Sequence, residues 1–303
     1  MAHHCNVPKP GPLPESIPLP AFRSRDALER GLSKGRLRSS DLDSPFHGIR
    51  VTRQAASLEE RCRQYLPRLR PGQFFSHSTA AGLLEIPLPR SVETDSRLHV
   101  SDRSSRPRTK GIIGHRALET PVVTVRGLPL TQPEWLLPEL ARVLSFDDLI
   151  IAGDGLVRRK RPPTTLDQIQ TIAAELEGRG VRQARMALLQ VRSGTDSPME
   201  TRLRLLVVRA GLPEPVIGHT IRDANGDFVG TPDLSYVEQR IAIEYEGAVH
   251  RDDPRVFAED ILRRELMQEA DWYVIRVISD HVFKSPQWLV ARIARILAQR
   301  TPS

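Results

Sequence analysis

The chain has 303 residues, enough for two or three domains that each bury a core. Its two cysteines, Cys5 and Cys62, exclude a disulfide framework, and no apolar run approaches the ~20 residues of a membrane span, so a reducing cytoplasm is the expected setting. The formal net charge is +7, but the excess is local: 30 Lys+Arg face 21 Asp+Glu over residues 1–196 and 14 face 16 over 197–303, which predicts phosphate attraction by the first two thirds.

Residues 1–20 carry Pro8, Pro10, Pro12, Pro14, Pro18 and Pro20 without a helical period and read as a flexible arm. A short helix begins at Ser24 and stops near Gly31, and Ser33 caps a second helical segment over 34–42. Gly48–Val51 follows as a strand. Two helices about a glycine turn and a strand make a winged-helix-like DNA-binding domain over 21–72. That arrangement sends Arg36 and Arg38 toward a major groove and Arg50 or Arg53 toward a backbone. Leu58–Leu69 reads as an amphipathic helix, and Ser76 starts another. Strands are expected at 98–100, 111–114 and 122–126, with a basic loop over 101–110 that either grips phosphates or, as most such charge runs do, is simply solvated. Residues 132–144 read as helical with a break at Pro138. His77, His99 and His115 stand far apart in sequence and read as isolated structural or surface residues. Arginine outnumbers lysine 39 to 5, which favours bidentate phosphate contacts and equally suits a GC-rich genome.

The basic, proline-stopped run 158–164 is the best linker, which leaves a small α+β domain over 73–157 and a further domain over 165–303. In the latter, helices open at Thr165 and near 182, and Ser197-Pro198-Met199-Glu200 is a capping box with proline at the first helical position. Asp223–Asp227 reads as a hairpin tip between strands that continue over 227–236 and 240–246.

The chemistry concentrates on that second strand, Ile241-Ala242-Ile243-Glu244-Tyr245-Glu246. Side chains alternate across a strand, so Glu244 and Glu246 share one face while Ile241, Ile243 and Tyr245 share the other. Antiparallel pairing can set Asp233 beside Glu244. Buried together, such carboxylates need a compensating cation, and a divalent metal is the simplest candidate. Hard oxygen ligands suit Mg²⁺ or Mn²⁺, held by Asp233, Glu244 and Glu246. His250 is then placed as a general base or phosphate contact, and Glu200 adds a carboxylate. An exposed antiparallel edge would explain the Glu244/Glu246 alternation without metal, and Glu200 has a sufficient role as a helix cap.

A helix glutamate, Pro232-Asp233, the Glu244-x-Glu246-Gly247-x-x-His250 strand, Asp260-x-x-Arg263 and Asp271-Trp272-x-Val274-x-Arg276 occur in an order that resembles the PD-(D/E)xK nucleases. The nearest branch in pattern is that of the very-short-patch-repair (Vsr-like) endonucleases. The resemblance spans about residues 197–300. It implies an α/β, restriction-endonuclease-like domain, a mixed sheet flanked by helices, with Glu200, Asp233, Glu244, Glu246 and His250 catalytic and Arg263 on DNA. Two positions depart from the pattern: Glu246 stands where the superfamily has lysine, and Asp271 where relatives have glycine. The first half, about 21–157, resembles the AbiEi antitoxins of type IV toxin–antitoxin systems through the helix-turn-helix-like start, the Gly-Ile-Arg strand at 48–50, the turn at 127–131 and Leu149–Asp154. That resemblance implies DNA binding by the first domain and autoregulation.

The expectation is therefore a cytoplasmic, Mg²⁺-dependent DNA endonuclease of a defence, toxin–antitoxin or repair setting, with DNA and a cognate toxin or repair protein as partners. The alternative is a non-catalytic, antitoxin-like DNA-binding regulator on a degenerate nuclease fold. A nuclease acting on RNA or branched DNA is a weaker third reading.

Overall fold

A computed structural model describes residues 10–117, 119–247 and 254–301, with backbone alone over 254–260. The chain divides into two compact units, one running to Arg142 and the other starting at Val143.

The first unit begins with β1 (Ala21–Arg23), α1 (Ser24–Glu29) and β2 (Ile49–Val51), and β1 pairs antiparallel with β2. Helix α1 ends where the Gly31 N–H bonds the Leu28 carbonyl and the Leu32 N–H bonds that of Ala27. This closure needs a left-handed residue, and Gly31 takes φ +88°. It folds Leu32 back onto Ala27, Phe22 and Leu37 in a small core. The second helical segment expected over 34–42 is shorter: Ser33 does cap it, accepting from the Arg36 N–H at 3.1 Å, but only Arg36–Arg38 form a 3-10 turn. Nothing of recognition-helix length stands there. Over residues 10–20 the proline-rich start also differs from a loose arm, because Ile17 is buried in the same core and Leu13 packs against it.

The rest of the unit comprises α2 (Leu58–Tyr65), β3 (Gln73–Phe75), α3 (His77–Leu83), α4 (Arg90–Glu93), β4 (Leu98–Asp102), β5 (Ile112–Arg116), β6 (Val122–Val125), β7 (Leu128–Thr131) and α5 (Leu136–Leu140). The strands form a five-stranded mixed sheet in the order β5-β4-β3-β7-β6. The expected break at Pro138 does not occur. Pro138 lies in the first turn of α5, where the N–H it lacks has no helical partner, and the irregularity falls earlier, as a 3-10 turn over Pro133–Trp135.

The second unit opens with α6 (Phe146–Leu156), α7 (Leu166–Glu175), α8 (Val181–Leu188) and α9 (Pro198–Arg209). Helix α6, expected within the 73–157 domain, packs on α8 and α9 instead, so the division precedes the basic 158–164 run. A buried ion pair fastens it. Asp154 accepts from Arg204 Nη2 at 3.0 Å, Thr201 Oγ1 at 2.8 Å and the Arg192 N–H at 2.8 Å. Helix α7 starts with a complete capping box between Thr165 and Gln168.

Next come β8 (Val216–Ile217), β9 (Ile221–Arg222), β10 (Phe228–Gly230), β11 (Leu234–Tyr236), β12 (Ile241–Glu246), α10 (Pro254–Glu269), β13 (Tyr273–Ile278), α11 (Ser279–Phe283) and α12 (Pro286–Arg300). The hairpin about 223–227 forms as expected between β9 and β10. The long strand expected over 227–236 is split into β10 and β11, which belong to different sheets. The main sheet runs β13-β12-β11-β8, with β12 antiparallel to β11 and parallel to β13. Leu203 and Val207 of α9 and Leu289, Ile293 and Ile296 of α12 pack with Ile241, Ile243, Ile275 and Val277 in one core. Met267 of α10 packs with Ala242 and Trp272 in a second one. No helix among the described residues is long and apolar enough to cross a membrane.

Asp154→Ala should leave the buried Arg204 with Glu214 as its remaining carboxylate, strip Thr201 and the Arg192 N–H of their acceptor, and destabilise the protein by roughly 1–3 kcal/mol. Urea unfolding followed by circular dichroism measures this; a loss below 1 kcal/mol would show that the pair does not fasten α6.

Candidate functional site

The ladder that builds the acidic site is short and well registered. Leu234, Ser235 and Tyr236 pair with Ile243, Ala242 and Ile241, so one further step sets Asp233 opposite Glu244. Asp233 Oδ2 accepts from the Tyr245 N–H at 2.7 Å, which locks its side chain across the strand. Ile241, Ile243 and Tyr245 belong to the α9–α12 core and Ala242 to the other face, so alternation carries Glu244 and Glu246 to the α10 side. Glu244 is 5 % exposed on a strand paired along both edges, which excludes the exposed-edge explanation of the pattern.

The compensating charge next to Glu244 and Glu246 is arginine. Arg263 Nη2 lies 3.1 Å from Glu244 Oε1 and Arg264 Nε 3.9 Å from Glu244 Oε2. Arg264 Nη2 also lies 3.4 Å from Glu246 Oε1, and Arg276 holds both oxygens of Glu246 with two guanidinium nitrogens. Arg276 reaches it because β13 runs parallel to β12 with Arg276 beside Glu244. Arg263, expected on DNA, is thus a partner of Glu244.

Glu200 serves both as cap and as buried carboxylate. Its N–H bonds Ser197 Oγ at 3.2 Å, and its Oε2 accepts from the Asp196 N–H at 2.9 Å. Burial, reinforced by the Asp233 charge, pushes its carboxyl from an ordinary 4.5 up to about 7. Burial likewise raises Asp233, against the Tyr245 N–H and the charges of Arg263 and Arg159. A buried and a half-buried carboxylate that each disfavour ionisation mark a place where added positive charge is stabilising. The donor set fits a Mg²⁺ or Mn²⁺ ion of the kind that takes one or two carboxylates and completes its shell with water and substrate phosphate. It does not fit an all-protein cage. Among the described residues, the expected trio Asp233, Glu244 and Glu246 does not bring its ligand atoms together, and Glu246 is engaged by Arg276 and Arg264. His250 lies outside the described residues.

The arginines of the first unit are deployed differently from expectation. Arg36 holds Asp41 through two bonds of 2.8 Å and the Gly11 carbonyl through Nε at 2.8 Å. Arg50 bonds the Leu37 carbonyl at 2.7 Å and Ser44 Oγ at 2.8 Å. Arg53 grips Glu60 at 2.8 and 3.1 Å. Arg36 and Arg50 fasten the fold from half-buried positions, whereas Arg53, paired at the surface, and Arg38 are exposed. A basic cleft of about 780 Å³ lies elsewhere in the same unit, lined by Arg23, Arg25, Arg68, Arg70 and Arg108 with His47 and Tyr65. The basic loop over 101–110 pointed to Arg108; the others are spread over segments whose convergence no local pattern signals.

The three histidines are not isolated. Strands β4 and β5 place His99 beside His115, with His115 Nε2 and His99 Nδ1 3.0 Å apart, and the His77 ring stacks on His115 at 3.6 Å between centroids. Burial holds His99 and His115 down at about 4, so the rings are neutral near pH 7.

Fold and site together define a mixed α/β protein of two units, one carrying a basic cleft and the other a buried acidic centre. The uncharacterized protein Rv2248 of Mycobacterium tuberculosis strain H37Rv is 30 % identical over 208 residues, 68 % of this chain and 76 % of that protein. The uncharacterized protein MT2308 of strain CDC 1551 matches to the same extent. The chain belongs to the family of these mycobacterial proteins. No protein-family profile matches it, and no solved structure does.

The Glu200 environment makes stability depend on pH. Native Glu200 keeps its proton up to about pH 7, whereas the unfolded chain releases it near 4.5, so the native state binds more protons in that window and stability falls as pH rises through it. In EDTA, Glu200→Gln should flatten this slope and raise stability above pH 7 by roughly 1–3 kcal/mol. Urea midpoints at pH 5, 6 and 8 for both proteins check it, and parallel profiles would contradict the assignment.

Proposed function

We propose that the chain is a metal-dependent endonuclease acting on DNA in the cytoplasm. The observation that carries the reading is that buried Glu200 feels the charge of half-buried Asp233, both with raised pKa, at the end of the ladder that sets Asp233 across from Glu244. Glu200 and Asp233 would hold a divalent ion, which when bound supplies Lewis acidity to a phosphate oxygen and a lowered pKa to an attacking water. Asp233 is pre-oriented by the Tyr245 N–H, so its free oxygen has a fixed direction. Glu244 and Glu246 hold Arg263, Arg264 and Arg276 beside the site, where guanidinium groups suit a scissile phosphate and its developing charge. The cleft of the first unit would bind the polyanion through Arg23, Arg25, Arg68, Arg70 and Arg108. A defence, toxin–antitoxin or repair locus suits such an enzyme, with a cognate toxin or repair protein as partner.

A second reading has its own support. Three arginines already balance Glu244 and Glu246, and Glu246 occupies the superfamily's lysine position, as expected of a nuclease fold retained in a non-catalytic DNA-binding regulator.

Cleavage of supercoiled plasmid with Mg²⁺ or Mn²⁺ separates the two. On the nuclease reading, Asp233→Asn and Glu200→Gln each lose roughly 100-fold or more in rate, the equivalent of two factors of ten in transition-state stabilisation, while DNA affinity is kept. No metal-dependent cleavage by the parent protein, with salt-sensitive binding retained, would favour the regulator.

The cleft has a separate expected outcome. Arg68→Ala and Arg108→Ala should each weaken DNA binding and lower the log–log salt slope by about 1, whereas Arg36→Ala should destabilise the protein and leave the slope unchanged. Fluorescence anisotropy across a salt series measures both.

A further inference from the structure

We propose that His77, His99 and His115 form a binding site for a first-row transition metal of the Zn²⁺ type. The site lies wholly in the first unit and does not depend on the nuclease reading. One nitrogen from each ring falls within 4.8 Å of the others, the only such trio of potential ligands among the described residues. Two nitrogens on one tetrahedral zinc, each about 2.0–2.1 Å from the metal, lie roughly 3.3 Å apart, so the His99–His115 separation of 3.0 Å is already close to that spacing.

His77 supplies the independent indication of a ligand. It is 3 % exposed, and its Nε2 is buried with no hydrogen-bond partner, a cost of about 1–3 kcal/mol for a polar atom left unsatisfied. The residue also takes φ +50° at the start of α3, a conformation disfavoured for any residue with a β-carbon. Its other ring nitrogen is held from behind: Nδ1 lies 3.0 Å from Ser76 Oγ and 3.5 Å from Glu139 Oε2. Ser76 Oγ in turn accepts from Ser101 Oγ at 2.8 Å. Glu139 also accepts from the His77 N–H at 2.8 Å, and Thr131 Oγ1 lies 3.2 Å from both its oxygens. A carboxylate beside a histidine nitrogen is the support that orients imidazole ligands on metals.

Three neutral nitrogen donors without a thiolate or a carboxylate in the set select Zn²⁺, Co²⁺, Ni²⁺ or Cu²⁺ over Mg²⁺ or Ca²⁺. Coordination requires that the His77 ring turn out of its stack on His115, so that its in-plane lone pair meets the ion, and that the proton between His99 and His115 leave the facing nitrogen. The ring that carries it shifts tautomer, so no net proton is released. His115 is half-buried, which gives an ion a route to the trio, and a tetrahedral ion would keep its fourth position for water or another ligand.

The test uses the full chain, stripped of metal and titrated with Zn²⁺ by calorimetry and with Co²⁺ by visible absorption. The expected result, with the titrations made on the Glu200→Gln/Asp233→Asn protein to silence the acidic site, is one ion per chain, with the intense absorption of tetrahedral Co²⁺ and a rise in thermal midpoint on Zn²⁺ addition. His115→Ala, at the most accessible of the three positions, should abolish the Co²⁺ spectrum while keeping the parent circular dichroism. His99→Gln should do the same wherever it folds, and Glu139→Gln should weaken binding by roughly 10–100-fold. His3→Ala/His4→Ala should bind as the parent does. Absence of one-to-one binding, binding that survives His115→Ala, or binding lost with the His3/His4 variant would overturn the proposal.

Discussion

The constraint on which the second unit turns is electrostatic: a central strand presents two glutamates on one face, with an aspartate and a helix glutamate close by. None of these carboxylates is stable in an apolar layer by itself. The neighbouring elements supply what each requires. Strand β13 is parallel to β12 in the register that carries Arg276 to Glu246, and α10 crosses that face with Arg263 and Arg264. The Tyr245 backbone satisfies one oxygen of Asp233, and the Asp196 backbone one oxygen of Glu200. Sheet order, helix placement and site geometry are therefore one solution to one charge problem.

Much of this was legible in local pattern. Alternation along 241–246 marks the two faces of β12, and Ser197 and Thr165 mark two helix starts. Asp271 is instructive, since it departs from the glycine of the nuclease pattern that the sequence resembles and takes φ +62°. The pattern records a left-handed turn before β13, and aspartate is one of the few other residues that tolerate it. The identity of the cations was not legible. A carboxylate pattern says that positive charge is needed, but whether an arginine or a metal ion supplies it depends on contacts between segments distant in sequence. The same limit explains the histidines, brought together by the parallel pairing of β4 with β5 and the start of α3. It also explains α6, whose place is set by the pairing of Asp154 with Arg204 fifty residues away.

The first unit shows how poorly a count of basic residues measures a binding surface. Arg36, Arg50 and Arg53 were attractive because they lie on or near short elements in a basic stretch, yet each guanidinium is spent on a carbonyl, hydroxyl or carboxylate of its own fold. Arginine's planar array of donors suits such internal clasps as well as it suits phosphate. Where many arginines occur, the discriminating quantity is unsatisfied donor capacity, which only the folded chain reveals.

The basic cleft is assembled from the end of β1, the turn after α2 and the loop before β5, segments that adjoin one another only when this unit is folded. Its like charges repel in the empty state, and the unfolded chain has no equivalent site. Any polyanion that fills the cleft is consequently a folding ligand as well as a partner. At a hundred times its dissociation constant it would add about 2.7 kcal/mol to stability by mass action. The proportion of intact first unit in a cell would then follow the local abundance of that polyanion, with no dedicated regulatory element required.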